Sequence, residues 1–156
     1  IEPAQAIVIK NARQIGITAP IFQSHGFGNI NYVQAAGAAA EGVIFPAGRL
    51  LVAETLSDKN PQKALLADYK KNYEAKFKED VSTFGGHAYD GLMIAVEALT
   101  RAGVTDKAVV RDAIESVRAF MGTAGVFNYS PTDHVGLDVS GFRMLEIRKG
   151  DWTLAK

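Results

Sequence analysis

The chain has 156 residues, of which 47% are hydrophobic, and its 17 basic and 17 acidic side chains give a formal net charge of +0. This balance argues against nucleic-acid binding, which needs an excess of cations to neutralise phosphates. The absence of cysteine excludes a disulfide framework and a thiolate metal site. No apolar run approaches the roughly 20 residues of a spanning helix, so the composition indicates a globular class.

The first sixty residues alternate between helical and strand patterns, which predicts parallel strands in an α/β layer. The predicted elements are a helix over Ala4–Ile15 with Pro3 in its first turn, a strand over Ile21–Gln23, a turn over Ser24–Asn29, a helix over Ile30–Ala36, a strand over Gly42–Phe45 and a long irregular loop over Pro46–Asn60. Two strands are too few for an independent parallel sheet. We therefore expect partner strands from an absent N-terminal portion or from a second chain.

Helical patterns dominate the middle of the chain, and strand patterns return after residue 120. The predicted elements are a helix from Pro61 to about Phe77 capped by Asn60, a helix from about His87 to Ala102 ended by Gly103, a helix over Lys107–Val117 capped by Thr105 or Asp106, strands over Gly125–Tyr129 and Phe142–Arg148, and a hairpin turn at Lys149–Asp151. On the helix from His87, the apolar positions Tyr89, Leu92, Met93, Val96 and Leu99 are spaced to share one face.

The three histidines show no metal-ligand spacing such as HExxH. His87 and Asp90 are three apart on a predicted helix, and a pair that satisfies local backbone groups is favoured there over a metal site. His134 lies in a polar turn, where a surface or inter-lobe hydrogen bond is expected. Ser24 beside His25 lacks the G-x-S-x-G frame of a nucleophile elbow, and Gly26 to Asn29 lacks the glycine and lysine of a phosphate loop.

The turn from Ser24 to Phe27 follows a predicted parallel strand, and ligands of open α/β sheets gather at that end of the strands. An imidazole at His25 and the free N–H groups of a helix beginning near Ile30 would suit a carboxylate. The alternative is that His25 only satisfies the turn.

Five segments, in order and spacing, resemble the periplasmic solute-binding proteins of the branched-chain amino-acid ABC-importer type, also called type I periplasmic binding proteins or extracellular ligand-binding receptors. They are AQAIVIKNARQIGITAPIF, SHGFGN, AAEGVIFPAG, FGGHAYDGLMIAVEALTRAG and GVFNYSPTDHVGL. The resemblance implies two α/β lobes with doubly wound parallel sheets, which are joined by three crossover strands and close on a ligand by hinge motion. The chain corresponds to the C-terminal part of such a protein.

The resemblance implies that residues 1–82 belong to the second, C-terminal lobe. Residues 83–120 form a crossover and helices of the first, N-terminal lobe, and residues 121–156 return to the second lobe as its last strands. The glycines of Thr83–Gly86 would then supply backbone freedom where the lobes move.

The resemblance also assigns candidate ligand contacts. The turn that carries His25, Gly26 and Phe27 is expected to touch the ligand. Phe84 resembles the aromatic residue that packs on the apolar part of the ligand, with a core phenylalanine as the alternative. Tyr89 is a further candidate, although a core position suits it better.

The histidine at position 25 is a departure from the family pattern, because amino-acid-binding relatives often carry an acidic residue there to neutralise the ligand's ammonium group. A histidine serves an ammonium poorly and a carboxylate or phenol better. The departure therefore favours an aromatic or other organic acid over an α-amino acid. Ile1 falls where relatives contribute a ligand-facing residue.

The function implied is that of a non-enzymatic solute-binding component in the periplasm or outside the cell. It would capture a small carboxylate-bearing ligand and deliver it to the membrane permease of an ABC importer, with no cofactor, no metal and no nucleic-acid partner. The first alternative is the ligand-sensing domain of a receptor, which a transmembrane or signalling segment would distinguish. The second is an amidase or deaminase, which would need an activated nucleophile or a metal, and the sequence offers neither.

Overall fold

The computed structural model describes residues 4–155, so Ile1 and Pro3 of the expectations above lie outside the described residues. Its helices are α1 (Ala4–Gln14), α2 (Ile30–Ala36), α3 (Lys63–Phe77), α4 (Thr83–Ala102) and α5 (Lys107–Glu115). Its strands are β1 (Ile44–Gly48), β2 (Phe120–Met121), β3 (Val126–Phe127), β4 (Phe142–Arg148) and β5 (Asp151–Leu154). Short 3-10 helices span His25–Phe27, Gly37–Ala40, Arg49–Thr55 and Val139–Gly141.

One sheet joins β1, β4 and β5 in that order, with both pairs antiparallel. A parallel bridge between Phe22 and Ile44 adds the segment predicted as the first strand, and the Gln23 N–H donates to the Ile44 carbonyl at 2.8 Å. The expected parallel pair is therefore present, but it is a single bridge at the edge of the sheet.

The predicted hairpin between β4 and β5 is confirmed, with Arg148 opposite Asp151. Its two loop residues, Lys149 and Gly150, have φ angles of 57° and 78°. A two-residue hairpin of type I′ needs positive φ at both positions, which glycine supplies without strain.

The apolar interior is divided into three clusters. The largest lies between α1, α2 and the three-stranded sheet, and includes Phe27, Phe45 and Leu145. A second cluster joins α3 to the 3-10 helix after β1. The third is formed by α4, α5 and the β2–β3 hairpin, with Ile94 and Phe127 at its centre. The largest cluster joins segments that are distant in the sequence, because Leu145 and Ile147 pack with residues of the first part of the chain such as Ala6 and Phe45.

The start of α4 was predicted wrongly. The helix begins at Thr83, one turn before His87, because the Ser82 hydroxyl accepts a hydrogen bond from the Gly85 N–H at 3.3 Å and so caps its N-terminus. Gly85 and Gly86 consequently lie in the first turn of a helix.

Close packing explains why residue 86 is a glycine. A Cβ at this position would lie 2.7 Å from Thr123 Oγ1 and 2.9 Å from a methyl group of Leu50. The glycine lets α4 approach the β2–β3 hairpin and the segment after β1.

Two other predictions need correction. The loop predicted over residues 46–60 contains the second half of β1 and a 3-10 helix, since Pro46 and Ala47 pair with β4. The strand β2 was not predicted, because its two residues are too short to give a periodic signal.

The observed boundaries of α3 and α5 also differ from the predicted ones. Asn60 caps the Gln62 N–H through its side chain at 2.9 Å, but residues 61 and 62 form a turn and α3 begins at Lys63. Asp106 is the N-cap of α5, and its carboxylate accepts from the Ala108 and Val109 N–H groups. This helix ends at Glu115, two residues before the predicted end at Val117.

Helix α4 presents two faces of different character. Its buried positions recur every four residues, at Gly86, Asp90, Ile94 and Ala98, and pack inward. The apolar stripe predicted to share one face is largely exposed, with Leu92 63%, Met93 36%, Val96 46% and Leu99 41% accessible. An apolar stripe left in water on a long helix marks an interaction surface.

Candidate functional site

The turn predicted to hold the ligand forms at the end of the segment that pairs with β1. The Phe27 N–H donates to the Ser24 carbonyl at 3.0 Å, which closes a 3-10 turn over His25–Phe27. Helix α1 supports the turn from one side, because the Gln5 side-chain amide donates to the Ser24 hydroxyl at 3.2 Å. The imidazole of His25 is thereby placed at the carboxyl end of this sheet segment.

The N-terminus of α4 is fixed against the same turn. The Gly28 carbonyl accepts from both the N–H and the hydroxyl of Thr83, each at 3.3 Å. A Cβ on Gly28 would lie 2.8 Å from the Thr83 methyl group, so only glycine allows this approach.

Two histidines meet where the turn and the helix join. The ring centroids of His25 and His87 are 5.2 Å apart in an edge-to-face arrangement, and the ring of Phe142 at the start of β4 lies 5.4 Å from His25. We call His25 and His87 the histidine pair. His87 is exposed, whereas His25 is half-buried.

The environment of His25 favours the neutral imidazole. Burial and, to a smaller extent, the charge of the neighbouring His87 lower the pKa of His25 below its usual value of 6.5. Its Nε2 atom is buried and has no hydrogen-bond partner among the described residues. An unpaired buried nitrogen costs free energy, and such atoms occur at binding sites where a ligand completes the bond.

Some of the other predicted ligand contacts lie near the histidine pair, and others do not. Phe84 is 49% exposed and lies three residues before His87 on α4, so the two side chains share one side of the helix. Gly26 lies in the turn beside Ser24. Phe27 points away from this surface, since it is fully buried in the largest cluster, where its ring packs on Phe45 at 5.3 Å.

Tyr89 lies on a different side of α4. Its ring packs against Tyr69 of α3 at 5.1 Å and lines a groove with Tyr73 and Phe77. The structure therefore places His25 and Gly26 at one junction and Phe84 one helical turn before His87, which contacts His25. Phe27 and Tyr89 lie outside this junction.

Sequence reasoning missed two residues at this junction. His87 was assigned to local backbone contacts together with Asp90, and Phe142 was seen only as the beginning of a strand. The spacing of Phe84 and His87 was a usable signal for a shared face, but the contact with His25 depends on packing between distant segments.

A buried polar network lies behind the junction. The carboxylate of Asp90, which is 1% exposed, accepts from the Thr123 N–H at 2.6 Å, the Thr123 hydroxyl at 3.0 Å and the Ala124 N–H at 2.9 Å. The Gln62 side-chain amide donates to the Gly122 carbonyl at 2.7 Å, and Arg49 donates to the Gln62 carbonyl oxygen at 3.0 Å. These bonds join α4, the β2–β3 hairpin and the segments around β1 and α3.

A separate apolar cavity of about 400 Å³ lies between the end of α4, α5 and the loop after β3. Its lining includes Leu99, Ile114 and Tyr129. His134 stands at its edge and contacts the Glu115 carboxylate at 3.2 Å, which agrees with the surface hydrogen bond predicted for it. This cavity does not include the histidine pair.

The junction offers binding chemistry. Two imidazoles provide donors or acceptors, and Phe84 and Phe142 provide exposed aromatic surface beside them. Within residues 4–155, no group of three or more His, Asp or Glu side chains is placed to hold a metal ion. None of the helices described there combines the length and hydropathy needed to cross a bilayer.

Comparison with known families decides the assignment, because the model of the periplasmic binding protein family matches residues 2–151. The chain belongs to the periplasmic binding protein family. Proteins of this family bind ligands without converting them, which confirms the prediction that the chain is not an enzyme. A search of curated protein sequences finds no match.

Solved structures show the type I fold of this periplasmic binding protein. An extracellular ligand-binding receptor from Rhodopseudomonas palustris HaA2 is 25% identical, with a TM-score of 0.91 over 99% of this chain and 45% of its own. A protein from Rhodopseudomonas palustris strain CGA009 is 26% identical, with a TM-score of 0.91 over 98% and 45% of the two chains. The branched-chain amino acid binding protein LivJ of Streptococcus pneumoniae, in complex with isoleucine, is 25% identical, with a TM-score of 0.76 over 94% and 39%.

The predicted α/β fold of the type I periplasmic binding proteins is confirmed. The chain spans less than half the length of these structures. The relatives are periplasmic or extracellular proteins with a solute-binding role.

Proposed function

We propose that this chain forms part of the solute-binding component of an ABC importer, which captures a small carboxylate-bearing ligand between two lobes and delivers it to the membrane permease. The observation that carries the proposal is the half-buried His25 at the end of the sheet, with an unpaired Nε2 and exposed aromatic rings beside it. Periplasmic or extracellular localisation follows from the same role.

The lobe division rests on packing and length. Residues 83–120 would belong to the first lobe, and the two flanking parts would belong to the second lobe. Support comes from the exposed stripe of α4 that includes Leu92 and Val96. The third cluster crosses the boundary at residue 120, because it joins α4 and α5 to Phe127 of the β2–β3 hairpin. The remaining length of a two-lobe relative supplies the polypeptide that would cover this stripe.

The ligand class follows from the charges at the junction. No carboxylate forms an ion pair with either ring of the histidine pair among the described residues, so the junction has no partner for an ammonium group. An imidazole N–H can donate to a carboxylate, and the rings of Phe84 and Phe142 can pack on an apolar or aromatic body. An aromatic or other organic acid therefore fits best.

The first prediction is that His25→Ala weakens binding of the carboxylate ligand by about 1.5 kcal/mol, roughly tenfold, because a charge-assisted hydrogen bond is lost. A thermal-shift screen of the two-lobe protein against aromatic acids and branched-chain amino acids identifies the ligand, since a ligand that binds only the folded state raises Tm. Calorimetry then compares the wild type with His25→Ala.

The matched control is His134→Ala, which removes an exposed histidine that pairs with Glu115 and lies outside the junction. This variant is expected to bind as the wild type does. Equal affinities for the His25→Ala variant and the wild type would remove His25 from the site. A screen in which no acid raises Tm would refute the proposed ligand class.

A further inference from the structure

We propose that His87 is a second ligand contact, and that His25 and His87 form one proton-coupled receptor whose binding of a carboxylate takes up a proton. The inference rests on the function proposed above. It adds a residue and a pH dependence that neither the family match nor the resemblance contains.

The geometry makes the histidine pair one unit. The two ring centroids are 5.2 Å apart with an interplanar angle of 66°, so an edge of one ring faces the other. His25 comes from the turn after the sheet segment and His87 from the first turns of α4, and the bonds from Thr83 to Gly28 hold these two segments together. An anion bound beside this contact would lie next to both rings.

Among the described residues, no carboxylate shifts the pKa of His25. Helix α1 presents the neutral amide of Gln5 through Ser24, and β4 presents the ring of Phe142. On α4 the group that faces His25 is His87, and among the described residues it is the one charged group that alters the titration of His25. Protonation of both rings would therefore place two positive charges side by side with no carboxylate from the described chain to balance them.

A bound carboxylate changes which form of the imidazole is favoured. Its negative charge beside the rings favours the protonated imidazole, whereas burial in the free protein favours the neutral form, in agreement with the lowered pKa of His25. The complex then holds more protons than the free protein. By linkage, the affinity for the anion rises as pH falls through the range in which His25 is neutral in the free protein and protonated in the complex.

The dependence is specific to a charged ligand. A neutral analogue of the same shape, such as an amide, gains nothing from protonation of the pair. A site that used only an N–H of the neutral ring would bind the acid with the same affinity across this range.

The test is calorimetry of the two-lobe protein with benzoate and with benzamide as its neutral analogue, at about pH 7.5 and about pH 5.5, on either side of the ordinary histidine value. Benzoate is expected to bind about tenfold more tightly at the lower pH, as one coupled proton allows, while benzamide binds weakly at both. Titrations in two buffers of different ionisation enthalpy are expected to show proton uptake with benzoate alone.

The variants separate the two residues from a general pH effect. His87→Gln is expected to weaken benzoate binding at the lower pH and to reduce the pH dependence, because one of the two rings beside the carboxylate is lost. His134→Gln is expected to leave both unchanged. Because His87 is exposed, its replacement is expected to leave the fold intact, and circular dichroism checks this. His87→Asn serves as a second variant if the first one unfolds.

The results of these experiments distinguish failure of this inference from failure of the proposed function. Benzoate binding with no proton uptake and the same affinity at both pH values would overturn the inference and leave the proposed function standing. Full pH dependence in His87→Gln would also overturn it, because the coupled group would lie elsewhere. If neither benzoate nor any other acid binds at either pH, the proposed function fails, and the inference fails with it.

Discussion

Asp90→Asn is expected to lower the free energy of unfolding by about 3 kcal/mol or more, because each buried donor left without an acceptor costs about 1–3 kcal/mol. The Asp90 carboxylate accepts three hydrogen bonds from Thr123 and Ala124 in the β2–β3 hairpin. Asparagine has nearly the same shape but one oxygen fewer, and its NH₂ group would face donors that it cannot satisfy.

Urea unfolding followed by far-ultraviolet circular dichroism measures this effect, since α4 is the longest helix described. The matched control is Asp112→Asn, because Asp112 is an exposed carboxylate of α5 that pairs with the adjacent Arg111. Its loss is expected to change stability by no more than about 0.5 kcal/mol. An Asp90→Asn variant as stable as the wild type would show that this network does not hold α4 against the hairpin.

A further stability prediction concerns two glycines of α4. Gly86→Ala is expected to destabilise the protein by about 1–3 kcal/mol through overpacking, because its Cβ would meet Thr123 Oγ1 at 2.7 Å and Leu50 at 2.9 Å. Leu50 can give way, but Thr123 is held by its bonds to Asp90. Gly91→Ala is the matched control, because Gly91 is exposed and a Cβ there would meet nothing within 4 Å. Alanine favours the helix at that position by about 0.5–1 kcal/mol.

The two alanine variants should thus move the urea midpoint in opposite directions, with a difference of about 1.5–4 kcal/mol in the free energy of unfolding. The same substitution in the same helix separates packing from helix propensity. If Gly86→Ala stabilises the protein as Gly91→Ala does, close packing does not explain the glycine. That result would favour the alternative hypothesis that Gly86 supplies backbone freedom where the lobes move.

The parts of the fold that sequence predicted well have local causes. Helix α2 has the predicted bounds, Asp106 caps α5, and the hairpin turns at Lys149 and Gly150, because capping and turn chemistry act within a few residues. The errors arose where distant segments decide the structure. Sequence alone could not show that Pro46 pairs with β4, or that Gly86 serves contact with Thr123.

The candidate site shows the same division. The placement of His25 just after a sheet segment followed from local patterns, and the structure has the turn there. Phe27 illustrates the limit, because a residue beside a ligand turn can equally fill the core, and its ring packs on Phe45. Which side chains meet His25 depends on how α4 and β4 are packed, and the sequence shows no pattern for that contact.

Hydrogen–deuterium exchange of the two-lobe protein, with and without the acid identified by the thermal-shift screen, tests the central claim most directly. The account predicts that ligand slows exchange in two separate segments, the turn over residues 24–28 and the start of α4 over residues 83–87, because both line one binding surface. Protection confined to α5 and the cavity lined by Leu99 and Tyr129, with these two segments unchanged, would contradict it.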